Sequence, residues 1–350
     1  MTSDYAIKEL QLMLKDMKQQ KSLYRPTAFW DRASKILIEE FSCNGFVDFR
    51  AGGAACDFFV PTYGAPGNSL TKDFIDHLEE KVISTFGRGS KAHLTLIRDL
   101  KGEAWAHADY RTVMAGDVFD LMPNLSNVTE SKIGKPREHF NFEGRFFSRS
   151  FLNYLQGLVF LKNNIDTSSI KRVIEIGGGF GSLGEILNQA GNYAYVDIDI
   201  PPTSAAAEFY LSNATNKAVI AYSQTRALDK IECPSLGHSM ILCPWQLPRL
   251  QGPFDLAVNF ISFQEMEPQV VQNYLNEIDR LGVTYVLLRN LKEGKKTIAQ
   301  GAEYGVVTPT LGKDYDRFLC HYDIVATNVL PYGYETVDGF HSELRLYRRR

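Results

Sequence analysis

Cysteine is scarce in this sequence and poorly placed for bonding. The 350 residues hold five, Cys43, Cys56, Cys233, Cys243 and Cys320. The count is odd and no pair has CxxC spacing, which argues against a disulfide framework and against a cysteine-rich zinc site. Buried free thiols in a reducing, cytoplasmic setting are the simpler expectation. An excess of one charge is missing too. Lys and Arg number 38 against 41 Asp and Glu, a formal net charge of -3. No strong field is available to draw nucleic acid or anionic lipid, so neither is an expected partner. Arg345, Arg348, Arg349 and Arg350 read as a short solvated tail rather than a phosphate patch. No stretch of about 18 apolar residues occurs, which excludes an expected membrane-spanning helix. The opening MTSDYAIKEL lacks the apolar centre of a signal peptide. Repeats and low-complexity segments are absent.

What is present divides into two textures. Residues 5–20 place Ile7, Leu10, Leu14 and Met17 on one side of a helix. A second helix, Thr27 to Phe41, repeats Trp30, Ala33, Leu37 and Phe41. The stretch AGGAACDFFVPTYGAPG at 51–67 is dominated by turn residues. A third helix is expected at about 71–86, then a mixture of short strands and loops from 88 to 145. A helix at about 148–163 leads onward.

From 171 the chain becomes regular. KRVIEI, AYVDIDI, SMILCP, FDLAVNFISF and VTYVLLRN read as short buried strands. SLGEILNQAG, TSAAAEFYLSNA and PQVVQNYLNEIDRLG read as helices between them, with Pro268 opening and Gly282 closing the last. Alternation of this kind predicts a parallel sheet covered on both faces. The end departs from it: YDIVATNVL and SELRLYR are joined by a turn at Pro331 and Gly333, too short for a crossover helix.

EIGGGFGSLG at 175–184 lies between the first strand and its helix. Glycines there let backbone approach a ligand and present a helix N-terminus to it. The string fits two ligands. Gly179, Gly181 and Gly184 match the dinucleotide pattern GxGxxG, with Asp199 about 20 residues on. The same loop resembles motif I of the Rossmann-like class I methyltransferases, an acid followed by xGxGxG, here Glu175, Gly177, Gly179 and Gly181, with Gly178 between them. Three features favour the second reading. Glu175 would repel a diphosphate but suits an ammonium. DIDIPP resembles the Asp-Leu-Pro turn of small-molecule O-methyltransferases, whose Asp accepts both ribose hydroxyls. The antiparallel terminal pair is the usual ending of that family's sheet.

The resemblance implies a Rossmann-like α/β domain at 148–350 that binds S-adenosyl-L-methionine (SAM), preceded at 1–147 by a mostly helical cap. That cap shapes acceptor specificity or mediates dimerisation. It carries the aromatics Phe58, Phe59, Tyr63 and the stretch Trp105 to Tyr110. The ribose role falls to Asp199, with Asp197 as the alternate. Trp245 and Gln246, after the third strand, are placed beside the adenine, or in the core. Gln264 and Glu265 close the fourth strand and face methyl donor or acceptor. EIGGGFGSLGEIL, DIDIPP and NFISFQEM together look like the sugar O-methyltransferase group, which implies a small hydroxyl-bearing acceptor. N- or C-methylation and a nicotinamide-dependent oxidoreductase are the competing functions. Candidate bases are Glu265, His341 and His107, with Asp109, His139 and Arg145 behind them. The acids show no metal-ligand spacing, so no metal is expected.

Overall fold

The computed structural model describes residues 1–51, 53, 58, 72–300, 305–336 and 339–350. Eight strands build its main sheet: β1 Arg172–Ile176, β2 Ala194–Ile198, β3 Ala218–Ile220, β4 His238–Leu242, β5 Leu256–Phe260, β6 Tyr285–Leu291, β7 Tyr322–Asn328 and β8 His341–Arg349. Their spatial order is β7, β8, β6, β5, β1, β2, β4, β3, and Tyr334–Glu335 adds a short piece on β8. All neighbours are parallel except those of β8, which runs antiparallel to both β6 and β7. The result is a mainly parallel, Rossmann-like α/β sheet that ends in an antiparallel pair.

The reason lies in the strand sequences. Each of Ala194–Ile198 and Leu256–Phe260 is buried along its whole length. Only a strand with elements on both faces tolerates that pattern. Chain order reverses at β1, with β2 on one side and β5 on the other. Open α/β sheets form their ligand crevice at such a reversal, beyond the carboxyl ends of the strands.

Helices α1 Ser3–Met17, α2 Ala28–Asn44, α3 Lys72–Phe86, α4 Lys91–Leu100 and α5 Glu103–Gly116 precede the sheet, and α6 Arg149–Asn164 leads into it. Within the sheet region come α7 Ser182–Ala190, α8 Thr203–Ala214, α9 Pro268–Arg280 and α10 Gly312–Phe318. The expected mixture at 88–145 is corrected: it begins with two helices, α4 and α5, and its strands are confined to a hairpin, Phe140–Phe142 with Arg145–Phe147. Four alanines in or near α5's apolar positions blur its stripe, although alanine is the best helix former. The solvated-tail reading of the terminal arginines is corrected as well. Arg345 and Arg349 belong to β8, and Arg345 pairs with Glu343 at 2.6 Å and Asp316 at 3.0 Å. Leu344, Leu346 and Tyr347 bury that strand in the sheet.

One hydrophobic cluster spans both textures of the chain. It joins Leu10, Leu37, Phe41 and Phe46 to Phe209, Tyr210 and the sheet's Val258. Phe46 stacks on Phe209 with centroids 5.7 Å apart. On α1 the buried face is Ala6, Leu10 and Met13, rotated from the expected Ile7, Leu14 and Met17. Asp16 explains the rotation, since it reaches Arg226 at 2.9 Å and Tyr222 at 2.7 Å. The segment 51–67, apart from 51, 53 and 58, lies outside the described residues, and with it Cys56, Phe59 and Tyr63. The remaining cysteines are free thiols. No described helix is long and apolar enough to cross a membrane.

Gly157 of α6 faces Phe260, and a Cβ there would collide with that ring. Alanine improves helix propensity by about 1 kcal/mol, but overpacking costs about 1–3 kcal/mol. Gly157→Ala is therefore expected to lower the melting temperature by a few degrees in calorimetry, rather than raise it as at an exposed helical site.

Candidate functional site

A cavity of about 420 Å3 opens at the carboxyl ends of β1, β2 and β5. Gly177, Gly178 and Gly179 form its floor, Asp199 and Ile200 one side, and Ile261, Ser262 and Glu265 another. The glycine bend is shaped by what surrounds it. Gly177 and Gly179 sit at φ 72° and 63°, in the left-handed region that favours glycine. A Cβ on Gly177 would strike Ser262, and one on Gly178 would strike Asp197. At Gly179 a Cβ would meet no atom within 4 Å, so this position faces open space. Gly181, at φ 95°, starts α7 and is not part of the wall.

The two acids closing β2 now separate. Asp197 is wholly buried behind the bend and accepts the Gly178 N–H at 3.1 Å. Asp199 lines the cavity and accepts the N–H groups of Gly179 at 2.9 Å and Ile200 at 2.7 Å. Burial raises the Asp199 pKa to about 6. Burial also pushes Asp197 well upward, assisted by the nearby Glu175 carboxylate. Glu175 is fully buried off the cavity wall, accepts from the Tyr195 hydroxyl at 2.5 Å, and is raised to about 7 by burial.

Glu265 lines the cavity between two donors. Trp30 Nε1 donates to its Oε2 at 2.9 Å, and Lys295 Nζ pairs with its Oε1 at 2.7 Å. Thr27 donates its hydroxyl to the Glu265 carbonyl at 2.9 Å. Lys295 in turn lies 3.9 Å from the Phe29 ring centroid. Helix α2 thus fixes an acid contributed by the sheet. Ile261 reaches φ 71°, a left-handed geometry that costs a β-branched residue about 1–3 kcal/mol, and its N–H bonds Arg289 O at 2.7 Å. Such strain is concentrated where a chain must turn a functional segment.

Other candidates are not brought to this cavity. Trp245 donates to the Tyr222 hydroxyl at 3.2 Å, and Gln246 is wholly buried, bonding Cys243 N at 2.8 Å and Thr225 at 2.9 Å. Gln264 Oε1 accepts the Leu291 N–H at 2.8 Å, tying two strand ends together. His341 meets Glu293 at 2.7 Å on the surface. His107 is exposed on α5 and its ring packs near Phe142, at 5.1 Å. Asp109 accepts from Gln156 at 3.1 Å, behind the cavity. His139 contacts the Glu130 carbonyl, and Arg145 the Tyr110 hydroxyl. No group of metal-ligating side chains gathers among the described residues.

The sequence reading missed Thr27, Lys295, Tyr154 and Asn153, all of them on the cavity wall. Lys295 was findable: it follows β6 as Glu265 follows β5, so the same carboxyl-end rule selects it. Trp30 was read only as one of a helix's apolar residues.

No family model matches the chain, and no curated protein matches it. Among solved structures, mitomycin 7-O-methyltransferase MmcR aligns at 12% identity over 79% of this chain and 67% of its own, TM-score 0.39. Magnesium protoporphyrin IX methyltransferase from Synechocystis PCC 6803, with bound S-adenosylhomocysteine (SAH), aligns at 14% over 69% and 100%, TM-score 0.40. The [4+2]-cyclase SpnF aligns at 11% over 69% and 96%, TM-score 0.42. Two of these are named for methyl transfer and one for a cyclisation, so function is argued from this chain's own cavity.

The raised pKa of Glu175 has a stability consequence. Its folded value of about 7 lies above the ordinary value of 4.5, so the native state keeps a proton that the unfolded chain releases between them. That contribution is complete below about 4.5 and is lost as pH rises toward 7. Glu175→Gln has no proton to lose. Urea midpoints should therefore move in favour of the variant, relative to the parent, as pH is raised from 5 to 7.5.

Proposed function

We propose that this chain is a SAM-dependent methyltransferase acting on a small molecule, by O-methylation of a sugar or another hydroxyl-bearing metabolite. The observation that carries this reading is the open bend at Gly179 beside Asp199, at the reversal point of the sheet. A backbone without side chains meets an acid that offers hydroxyl acceptors. The cavity volume falls within the range of about 300–1,000 Å3 usual for small-molecule sites.

The residues fit the cofactor. Gly177 to Gly179 would lie against its amino-acid part, Asp199 would accept its ribose hydroxyls, and Ile200 would cover the base. When bound, SAM supplies a methyl group already activated by a positive sulfur. Phe29, Trp30 and Phe260 wall the same cavity and keep water from it. Glu265 is the proton acceptor in this reading. Trp30 and Lys295 hold its carboxylate in one orientation, and alignment of the acceptor against the donor does the rest. Acceptor specificity belongs to the N-terminal residues that line the cavity, Arg25, Pro26, Thr27, Phe29, Trp30 and Phe58.

Calorimetry with SAM, SAH and NAD is the direct test. SAM and SAH should each bind with a Kd on the order of micromolar and NAD should not; binding of NAD alone would overturn the reading. Asp199→Ala should weaken SAH binding about tenfold or more, one lost charged hydrogen-bond acceptor. Glu265→Gln should leave SAH affinity intact and slow turnover about 10²-fold or more. Affinity is also expected to depend on pH. Asp199 must be ionised to accept two hydroxyls, and its pKa is about 6. SAH should bind about tenfold more weakly per pH unit below that value, and Asp199→Asn should abolish the slope.

A further inference from the structure

Behind the cavity wall lies an arginine to which no carboxylate among the described residues is bonded. Arg289 is 0% exposed, and burial lowers its pKa to about 10. Its Nη1 donates to Asn153 Oδ1 at 3.0 Å, its Nη2 donates to the Tyr332 carbonyl, and its Nε has no partner. The Phe260 ring covers one side, 5.3 Å away. Asp109 is the nearest acid by electrostatics, yet it accepts from Gln156 and Arg149 instead. Tyr154 and Tyr334 are the other titratable groups that face it. A buried guanidinium without a bonded anion is expensive.

Asn153 stands between this cation and the cavity. It lines the cavity, is 3% exposed, and its Nδ2 has no partner. The hydroxyl of Ser150, one turn earlier on α6 and also on the wall, is likewise unpartnered. With Arg289 bonded to the amide oxygen, the group of Asn153 still without a partner is its N–H donor.

Resting on the methyltransferase reading, we propose that Asn153, held by Arg289, donates to the acceptor's nucleophilic atom, so that the site takes an oxygen nucleophile and discriminates against an amine. Donors backed by a buried cation stabilise negative charge developing on oxygen. An amine instead presents N–H groups, which a donor cannot satisfy and whose burial is costly. In the transfer, an oxygen lone pair forms the O–CH3 bond, the S–CH3 electron pair returns to sulfur, and the hydroxyl proton passes to Glu265. Asn153 is the binding residue and Arg289 the positioning residue.

The probes are 4-nitrophenol and 4-nitroaniline, flat molecules of one outline, added to SAH-loaded protein. The phenol should bind at least tenfold more tightly. Its absorbance should show the phenolate form at lower pH when bound than when free. Asn153→Leu should remove both effects while SAH affinity stays unchanged, which also reports a folded protein. Asn153→Asp, which gives the guanidinium a carboxylate, should fold and likewise lose the phenolate shift. Equal binding of the two probes, preference for the aniline, or binding of neither would overturn the inference while SAH binding leaves the broader reading intact. Loss of SAH affinity in a folded Asn153→Asp protein would also overturn it, by assigning Asn153 to the donor.

Discussion

Two carboxylates grip two backbone amides, and the rest of the site follows from that grip. Asp197 holds Gly178 from beneath and Asp199 holds Gly179 from the cavity side. Asp199 stands one residue past the end of β2, and the parallel register aligns Asp197 with Glu175 on β1. The bend is thereby locked against the sheet. Any side chain at Gly178 would displace Asp197. Buried Glu175 and Asp197 and half-buried Asp199 crowd this small volume, and loss of hydration, with added repulsion between neighbouring carboxylates, raises all three pKa values. Such a cluster is disfavoured while charged.

The second constraint is supplied by the N-terminal helices. Without Thr27 and Trp30, Glu265 would project from a sheet end toward solvent. With them it is fixed from two directions and opposed by Lys295. The common hydrophobic cluster makes this arrangement rigid, because α1 and α2 share their packing with α8. Residues on both sides of position 147 therefore build one cavity wall. Ile261 shows a cost of that construction, a strained residue where the chain leaves β5 to bring Ser262 beneath Gly177 and Glu265 to the rim.

Much of this was legible in the sequence because it depends on local chemistry. Apolar β-branched runs between glycines identify buried parallel strands, and GGGFG can only be a turn with left-handed positions. The antiparallel ending was readable from the short connection after β7. Three kinds of information were not. Periodicity does not mark a helix such as α5, where alanines take the place of large apolar residues. A short edge strand such as Ala218–Ile220 is three residues long and carries no pattern. Side-chain pairing across long separations has no local trace either. Nothing near Trp245 or Gln246 in the chain shows that Tyr222 and Thr225 will occupy their polar atoms. Nothing near Trp30 shows that its ring N–H reaches a residue 235 positions away.

The function depends on what the Gly177–Gly179 bend and Asp199 hold. A crystal structure of the protein grown with SAH would read this directly. Both ribose hydroxyls are expected within hydrogen-bond distance of Asp199, with the amino-acid part lying across Gly177 to Gly179 and the sulfur facing Glu265 and Asn153. Electron density for SAH elsewhere, or a ribose bonded to other side chains with the bend untouched, would contradict it.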